Sequence, residues 1–338
     1  LFSCSCLQRI ILMKIALIGP GIMPIPPTGW GAVESLIWDY ALELDELGHE
    51  GTIINTPNWD EIIQHLNEEQ FDFAHMHYDV FHPIMDRIAA ETTIPKLALS
   101  SHYPYIDQPH MHRRDGYDRT FDWIINNKHY YIFCISQKDM DCFKAAGADE
   151  SKLLLSANGA NHKRFTYHKE AVLPERSLYL AQINDRKKQW IYQTIDSIDY
   201  VGRIMGQTPF DPNKNYLGEW TDEYKREHLG DFANLVLLSD GENGTPLVVK
   251  EAMINGLGVV ISKYAAHDLP DLPYVTVVPD DKLEDIPYIE EKIQENREAS
   301  LGRRDEIREF AIENFSWEGL VKLYAENIEK MERRSNAN

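Results

Sequence analysis

Arg186, Lys187 and Lys188 follow Asn184-Asp185 directly after the apolar run SLYLAQI, so three cations stand where a strand gives way to the next element. Cations there would neutralise a phosphate. Without a ligand, their charge at the start of a helix opposes the macrodipole, and a solvated helix start is the plain alternative. A second loop, Asp240-Gly241-Glu242-Asn243-Gly244-Thr245-Pro246, follows the run NLVLLS. Thr245 suits an N-cap and Pro246 the first helical position, which would leave backbone amides facing an anion at the strand ends. Glu251 falls about two turns into that helix. A carboxylate there can accept the paired hydroxyls of a ribose, or it can be an exposed helix residue. A third loop, PPTGWGAVE from Pro26 to Glu34, follows the first apolar run and opens a helix. Gly29 and Gly31 let the backbone approach a ligand, and the helix amino end favours an anion such as a diphosphate. The spacing is not GxGxxG, and a tight turn is the alternative.

Histidines gather in the first half, at His75, His77, His82, His102, His110 and His112. His75 and His77 share a strand face because strands have period two, but no carboxylate or thiolate stands at a fixed metal-binding spacing from them, and no metal is expected. His102 ends the run LALSSH, where it could donate to a sugar hydroxyl or a phosphate, or serve as a structural histidine. Asp139-Met140-Asp141 spells DxD, but it lies inside the helical segment QKDMDCFKAAG and reads as a solvated face.

Residues this far apart must be brought together by the elements between them. Short apolar runs alternate with segments of helical periodicity, the pattern of βαβ units and of parallel sheets covered on both faces. The fold class is therefore α/β, with two doubly wound domains expected at 13–172 and 173–314. The linker is read in the irregular, Pro174-containing stretch 161–175. First-domain strands are expected at 14–18, 51–55, 71–77, 96–101, 130–136 and 152–157. In the second domain they fall at 177–183, 199–202, 216–220, 234–239, 258–262 and 275–278, with helices near 186–194, 221–230, 246–255 and 284–297. Val33, Leu36, Ile37, Tyr40, Ala41, Leu44 and Leu47 form one helix face that stops at Gly48. Amphipathic segments at 303–314 and 317–331 close the chain, and 315–334 is expected to cross back onto the first domain.

A length of 338 residues with 43% hydrophobic content supports two cores. A formal charge of -20 disfavours nucleic acid and anionic lipid as partners. No run approaches the roughly 18 apolar residues of a membrane span, so no stable membrane insertion is expected. Cys4, Cys6, Cys134 and Cys142 make no disulfide or zinc framework, and a cytoplasmic setting is expected. Residues 1–12, with a bare CxC at Cys4 and Cys6, read as an upstream extension before Met13 rather than a secretory signal.

Taken in order, these segments resemble glycosyltransferase family 4 from Met13 to about Tyr324. The opening KIALIGPGIMPIPPTGWGAVESLIWDYALELDELGHE resembles the family's first strand, glycine loop and helix ending in a GHE-type turn. CISQKDMDCFKAAGADESKLLLSANGAN, with Asn158 and Gly159, resembles a further family segment, SLYLAQINDRKK the strand and basic loop that grip the donor diphosphate, and NLVLLSDGENGTPLVVKEAMINGLGVVIS the EX7E region. NFSWEGLVKLY resembles the terminal segment.

The resemblance implies the GT-B architecture and a retaining, metal-independent transfer of a sugar from a nucleoside diphosphate donor to a hydroxyl acceptor. It implies catalytic positions at His102, Arg186, Lys187 and Glu242, and donor contacts at Gly29, Gly31, Arg186, Lys187, Asn243, Gly244, Thr245 and Glu251. Within these, Gly31 would lie against the donor phosphates, Arg186 and Lys187 would neutralise the departing diphosphate, Glu251 would hold the ribose, and His102 would meet the transferred sugar or its phosphate. No other cofactor is implied.

Four departures from the family pattern stand out. The second glycine of the usual pair is Ala32, and the usual arginine of the first second-domain strand is Gln182. The EX7E spacing puts Asn243 eight residues before Glu251, with Glu242 displaced by one, and the stretch 192–220 is short. Either Glu242 takes the first glutamate's role or the sugar hydroxyls meet an amide. A nucleotide-sugar epimerase, a phosphorylase of similar shape and a non-catalytic nucleotide-sugar-binding protein are the rival readings.

Overall fold

The computed structural model describes residues 12–334, so the CxC at Cys4 and Cys6 lies outside the described residues. The chain forms two parallel sheets, each with helices on both faces. The first holds β1 (Lys14–Ile18), β2 (Glu50–Ile54), β3 (Phe73–Met76), β4 (Leu97–Leu99), β5 (Tyr131–Cys134) and β6 (Leu153–Leu155), in the order β2-β1-β3-β4-β5-β6. The second holds β7 (Leu173–Leu180), β8 (Ile198–Val201), β9 (Phe232–Leu237), β10 (Gly258–Ser262) and β11 (Val275–Val278), in the order β11-β10-β9-β7-β8. The doubly wound α/β class read from the alternation of periods is the architecture observed. In each sheet the winding reverses beside the first strand, between β1 and β3 and between β7 and β9. Loops leaving the carboxyl ends of those strands diverge and open a crevice, which is why the glycine loop and the basic loop come to line it.

Central strands are buried on both faces, as covered parallel sheets require. All six residues of β9 and all five of β10 are buried. The helix Ala32–Glu46 buries Leu36, Ile37, Tyr40, Ala41 and Leu44, and Gly48 follows it with a φ of 86°. Trp317, Val321, Tyr324, Ala325 and Ile328 fall on one stripe of the last helix, Trp317–Lys330, and are buried in one cluster with Ile15, Leu17 and Tyr40 of the first domain. Tyr40 lies 4.6 Å, ring centre to ring centre, from Trp317 and 4.8 Å from Tyr324. A helix that follows the second domain thus completes the core of the first. Among the described residues no helix is long and apolar enough to cross a membrane.

Two expected elements are absent. The segment 216–220 is not a strand; it meets β8 through a single bridge, Tyr200 to Tyr216. Asn215 and Gly218 take positive φ values of 51° and 84°, which break an extended run. Its backbone still covers that sheet edge, with Leu217 N donating to Tyr200 O and Gly202 N donating to Gly218 O. The helix expected at 186–194 is only a single-turn 3-10 segment, Gln189–Tyr192. The Asn184 side chain accepts from the amides of Arg186 and Lys187, and Lys188 sits at a φ of 50°. The backbone is committed to a turn, so no helix dipole opposes the three cations.

Arg304 opens the helix Arg304–Phe315 and is 2% exposed. It donates to four main-chain oxygens, those of His168, Phe232, Gly230 and Asn255. These carbonyls come from the linker, from the turn entering β9 and from the end of the helix Leu247–Ile254, so one guanidinium closes three separate segments at once. Arg304→Leu would strand the carbonyls in a dry core, and urea unfolding of the variant is expected to give a loss of about 3 kcal/mol; an unchanged midpoint would refute this role.

Candidate functional site

A cleft of about 380 Å³ opens between the carboxyl ends of the two sheets, and both domains line it. The first domain supplies Gly29, Trp30 and Gly31 from the loop after β1, and His102 and Pro104 from the segment after β4. Facing them are Arg186 and Lys187 after β7, Gly202 and Arg203 after β8, Glu242, Asn243 and Thr245 after β9, and Glu251 on the helix Leu247–Ile254. Gly31 has a φ of 133°, and a Cβ there would stand 2.4 Å from Met23 Cε. Only glycine fits this bend between strand and helix.

On the second-domain wall the cations are paired. Glu242 accepts from Lys187 Nζ and is ion-paired with Arg186 Nη1 at 2.9 Å. Arg186 Nη1 also donates to Gly241 O at 2.7 Å, and Lys188 lies 3.3 Å from Asp240. Burial by itself would raise the Glu242 carboxyl, but the two cations outweigh it and hold its pKa at about 2. Burial lowers Lys187 to about 8 against the pull of Glu242, so all three groups are ionised at neutral pH. The triad carries one net positive charge, aimed at the cleft from a region where water screens little.

His102 stands on the opposite wall. Burial lowers its imidazole to about 4, so a neutral ring faces the cleft at pH 7. Among the described residues its Nε2 has no hydrogen-bond partner. Behind it His77 lies with its ring 6.2 Å away and nearly parallel, and His75 bonds Ser100 Oγ and Tyr324 Oη. Burial also pushes both of these rings well below the ordinary histidine value. Among the described residues no group of three or more His, Cys, Asp or Glu side chains is disposed to hold a metal ion. His112 points its Nε2 at the carbonyls of Tyr105 and Ile106 and is a structural residue.

Several sequence expectations are corrected here. Thr245 is not the N-cap: its Oγ1 donates to Ala266 O at 3.3 Å. Pro246, at ψ 147°, stands before the first turn, and its carbonyl accepts from Val249 and Lys250. Thr245 does line the cleft, but Gly244 does not. Its φ of 67° turns the loop, and it packs on Ile135. Asp139 is not on a solvated face but fully buried, and its Oδ2 accepts from Ile135 N while Ser136 caps the helix through Asp139 N. Burial raises its carboxyl to about 7. Asp141 is the exposed member of that DxD. Asn243 lines the cleft and donates to Ser101 O at 3.0 Å across the domains.

Glu251 faces the cleft, but its Oε1 is already held by Lys225 at 2.7 Å. Lys225 and Arg203 are not singled out by the sequence, and Trp30 only as a member of the glycine loop. Arg203 follows a strand end and could have been found by that rule; its guanidinium lies 5.4 Å from the centre of the Trp30 ring, bridging the cleft between domains. Gly202 beside it has a φ of 142°, and a Cβ there would stand 1.9 Å from Ala181 O. Lys225 and Glu251 are brought together only by folding.

No family model matches the chain, and no curated protein matches it. Solved structures do. Anabaena HepE, in a crystal structure with UDP-glucose, superposes with a TM-score of 0.73 at 13% identity, covering 94% of this chain and 100% of that one. Sucrose-phosphate synthase from Thermosynechococcus elongatus gives 0.74 at 14% identity, covering 94% and 98%. AviGT4, a glycosyltransferase involved in avilamycin A biosynthesis, gives 0.67 at 15% identity, covering 94% and 97%. At such identities the likeness is one of fold: this chain has the two-Rossmann-domain GT-B architecture.

The low pKa of Glu242 has a consequence for acid stability. A carboxyl held at about 2 in the folded chain, against an ordinary value near 4.3 unfolded, stabilises the fold above the ordinary value and loses that contribution as pH falls toward the lower one. In urea titrations Glu242→Gln is expected to cost about 2 kcal/mol or more at pH 7, and the gap from the parent chain should narrow at pH 3. A gap independent of pH would contradict the triad's charge state.

Proposed function

We propose that the chain transfers a sugar from a nucleoside diphosphate donor to a hydroxyl acceptor. The observation that carries this is the presence, on one wall of the cleft, of the half-buried Arg186 and the buried Lys187 together with the carboxylate Glu251, groups that suit a diphosphate and a ribose. The glycine bend at Gly31 and the neutral His102 face them across the cleft, where the sugar and its phosphate would lie. HepE, of the same fold, has been crystallised with UDP-glucose, which supports the reading. The resemblance to family 4, retention at the anomeric carbon, a cytoplasmic setting and independence from metal belong to the same proposal.

In that reading the bond between the anomeric carbon and the diphosphate oxygen breaks, and its electron pair leaves with the diphosphate. The acceptor oxygen bonds to the anomeric carbon from the same face and gives its proton to the departing phosphate. Negative charge grows on the diphosphate, so Arg186 and Lys187 stabilise the transition state more than the ground state. Fixed cations thereby do the work that a divalent metal does elsewhere. Gly29, Asn243 and Thr245 would shape the donor pocket. Glu242 contributes by holding the two cations in place.

One observation favours a second reading, a nucleotide-sugar-binding protein without turnover. Glu242 is engaged by Arg186 and Lys187, and the Asn243 amide by Ser101, so among the described residues neither position of the EX7E glutamate offers the sugar a free carboxylate.

A thermal-shift panel of uridine, guanosine and adenosine diphosphate sugars tests donor binding, because a ligand bound only by the folded state raises the melting midpoint. One donor series is expected to stabilise the chain, and a flat panel would sink both readings. With that donor and a hydroxyl acceptor, Lys187→Ala is expected to lower turnover roughly a hundredfold, and EDTA to leave it unchanged. Binding without any turnover in the parent chain selects the second reading.

A further inference from the structure

We propose that Lys225 is a positioning residue for the donor: its ammonium fixes Glu251 so that the second carboxylate oxygen is presented to the ribose hydroxyls. The inference rests on the donor reading above, in which Glu251 meets the ribose. Lys225 Nζ lies 2.7 Å from Glu251 Oε1 and 3.4 Å from Asp222 Oδ1, with side-chain exposures of 18%, 13% and 15% for Lys225, Glu251 and Asp222. The Phe165 ring sits 5.7 Å from the ammonium. The pair is therefore largely withdrawn from water, where a charge-assisted hydrogen bond is strong and directional. Among the described residues no protein group donates to Glu251 Oε2, and both Lys225 and Glu251 line the cleft.

A carboxylate on a free helix face samples several rotamers, and a ligand that needs one of them must bear the cost of ordering it. Lys225 removes that cost beforehand. Its own position is set by the rest of an ionic row. Asp222, one turn earlier on the helix Asp222–His228, is paired with Arg226 and lies 3.7 Å from Arg164. Arg164 donates to Asp39 at 2.7 Å, and Asp39 accepts from Trp317 Nε1 at 3.2 Å. Three acids, Asp39, Asp222 and Glu251, are thus balanced by three bases, Arg164, Lys225 and Arg226. Without Lys225 the acids outnumber the bases, and Glu251 would be repelled by its neighbours and freed to turn. The helix that carries Lys225 also meets the glycine loop, since Asp222 N donates to Thr28 O at 3.4 Å. Lys225 is thereby held from both domains.

The test separates the ribose from the rest of the nucleotide. Dissociation constants of uridine, guanosine and adenosine diphosphates, each beside its 2′,3′-dideoxy form, are measured by calorimetry on the full chain and on Lys225→Met, Lys225→Arg and Glu251→Gln. The parent chain is expected to prefer the ribose form of the base it accepts. Lys225→Met should weaken that form about tenfold while leaving the dideoxy form unchanged. Lys225→Arg should restore most of the loss, and the double variant Lys225→Met with Glu251→Gln should bind no more weakly than Glu251→Gln alone. Equal weakening of both forms by Lys225→Met, tighter binding, or an undiminished preference for ribose would overturn the proposal. If the parent chain itself binds both forms alike, it is the ribose role of Glu251 that fails, and the role of Lys225 falls with it.

Discussion

The triad of Glu242 with Arg186 and Lys187 is the interaction on which the cleft depends. Two cations cannot be buried side by side at a strand end without an anion between them, because desolvation and mutual repulsion act together. Glu242 supplies that anion from the neighbouring strand end. It ties the loop after β7 to the loop after β9 at the point where the second sheet reverses its winding. What remains is a single net positive charge at a crevice that the fold would form in any case.

From that point the two domains are fastened by contacts on the same loops. Tyr105 Oη and Gln108 Nε2 both donate to Asp240, and Asn243 donates to Ser101 O. Gly241 lies flat on Tyr105, whose ring would be 2.2 Å from any added Cβ. At the far end of the cleft the ionic row from Glu251 to Asp39 reaches Trp317, whose helix is part of the first domain's core. The walls are thus tied at two places, beside Asn243 and beneath Glu251. Lys250, buried beside Glu251, makes a further tie by donating to Asn158 O.

Much of the fold was legible because period-two and period-3.6 patterns respond to burial, which is strong and local in sequence. β1, β10 and β11 lie where the apolar runs placed them. Two of the departures share one cause. The segment 216–220 and the start of a helix at 186 carry acceptable propensities, but Asn215, Gly218 and Lys188 take positive φ, a choice made by hydrogen bonds with Asn184 and with the edge of β8. Asp139 differs for another reason: a carboxylate in a helical stretch reads as exposed, whereas its Oδ2 satisfies a buried amide next to the interdomain contact.

Residue types at strand ends, Arg186, Lys187, Gly31 and His102, and Glu251 on the helix that follows one, were determined by the sequence itself, together with the α/β class and the acidic balance that disfavours nucleic acid. The state of those groups was decided only by the tertiary structure. That Arg186 and Lys187 share one carboxylate, that His102 is neutral, that Asn243 reaches Ser101, and that Lys225 holds Glu251 all depend on distances between segments far apart in the chain. Local patterning records how a segment meets water; charge state and orientation depend on which distant groups replace that water.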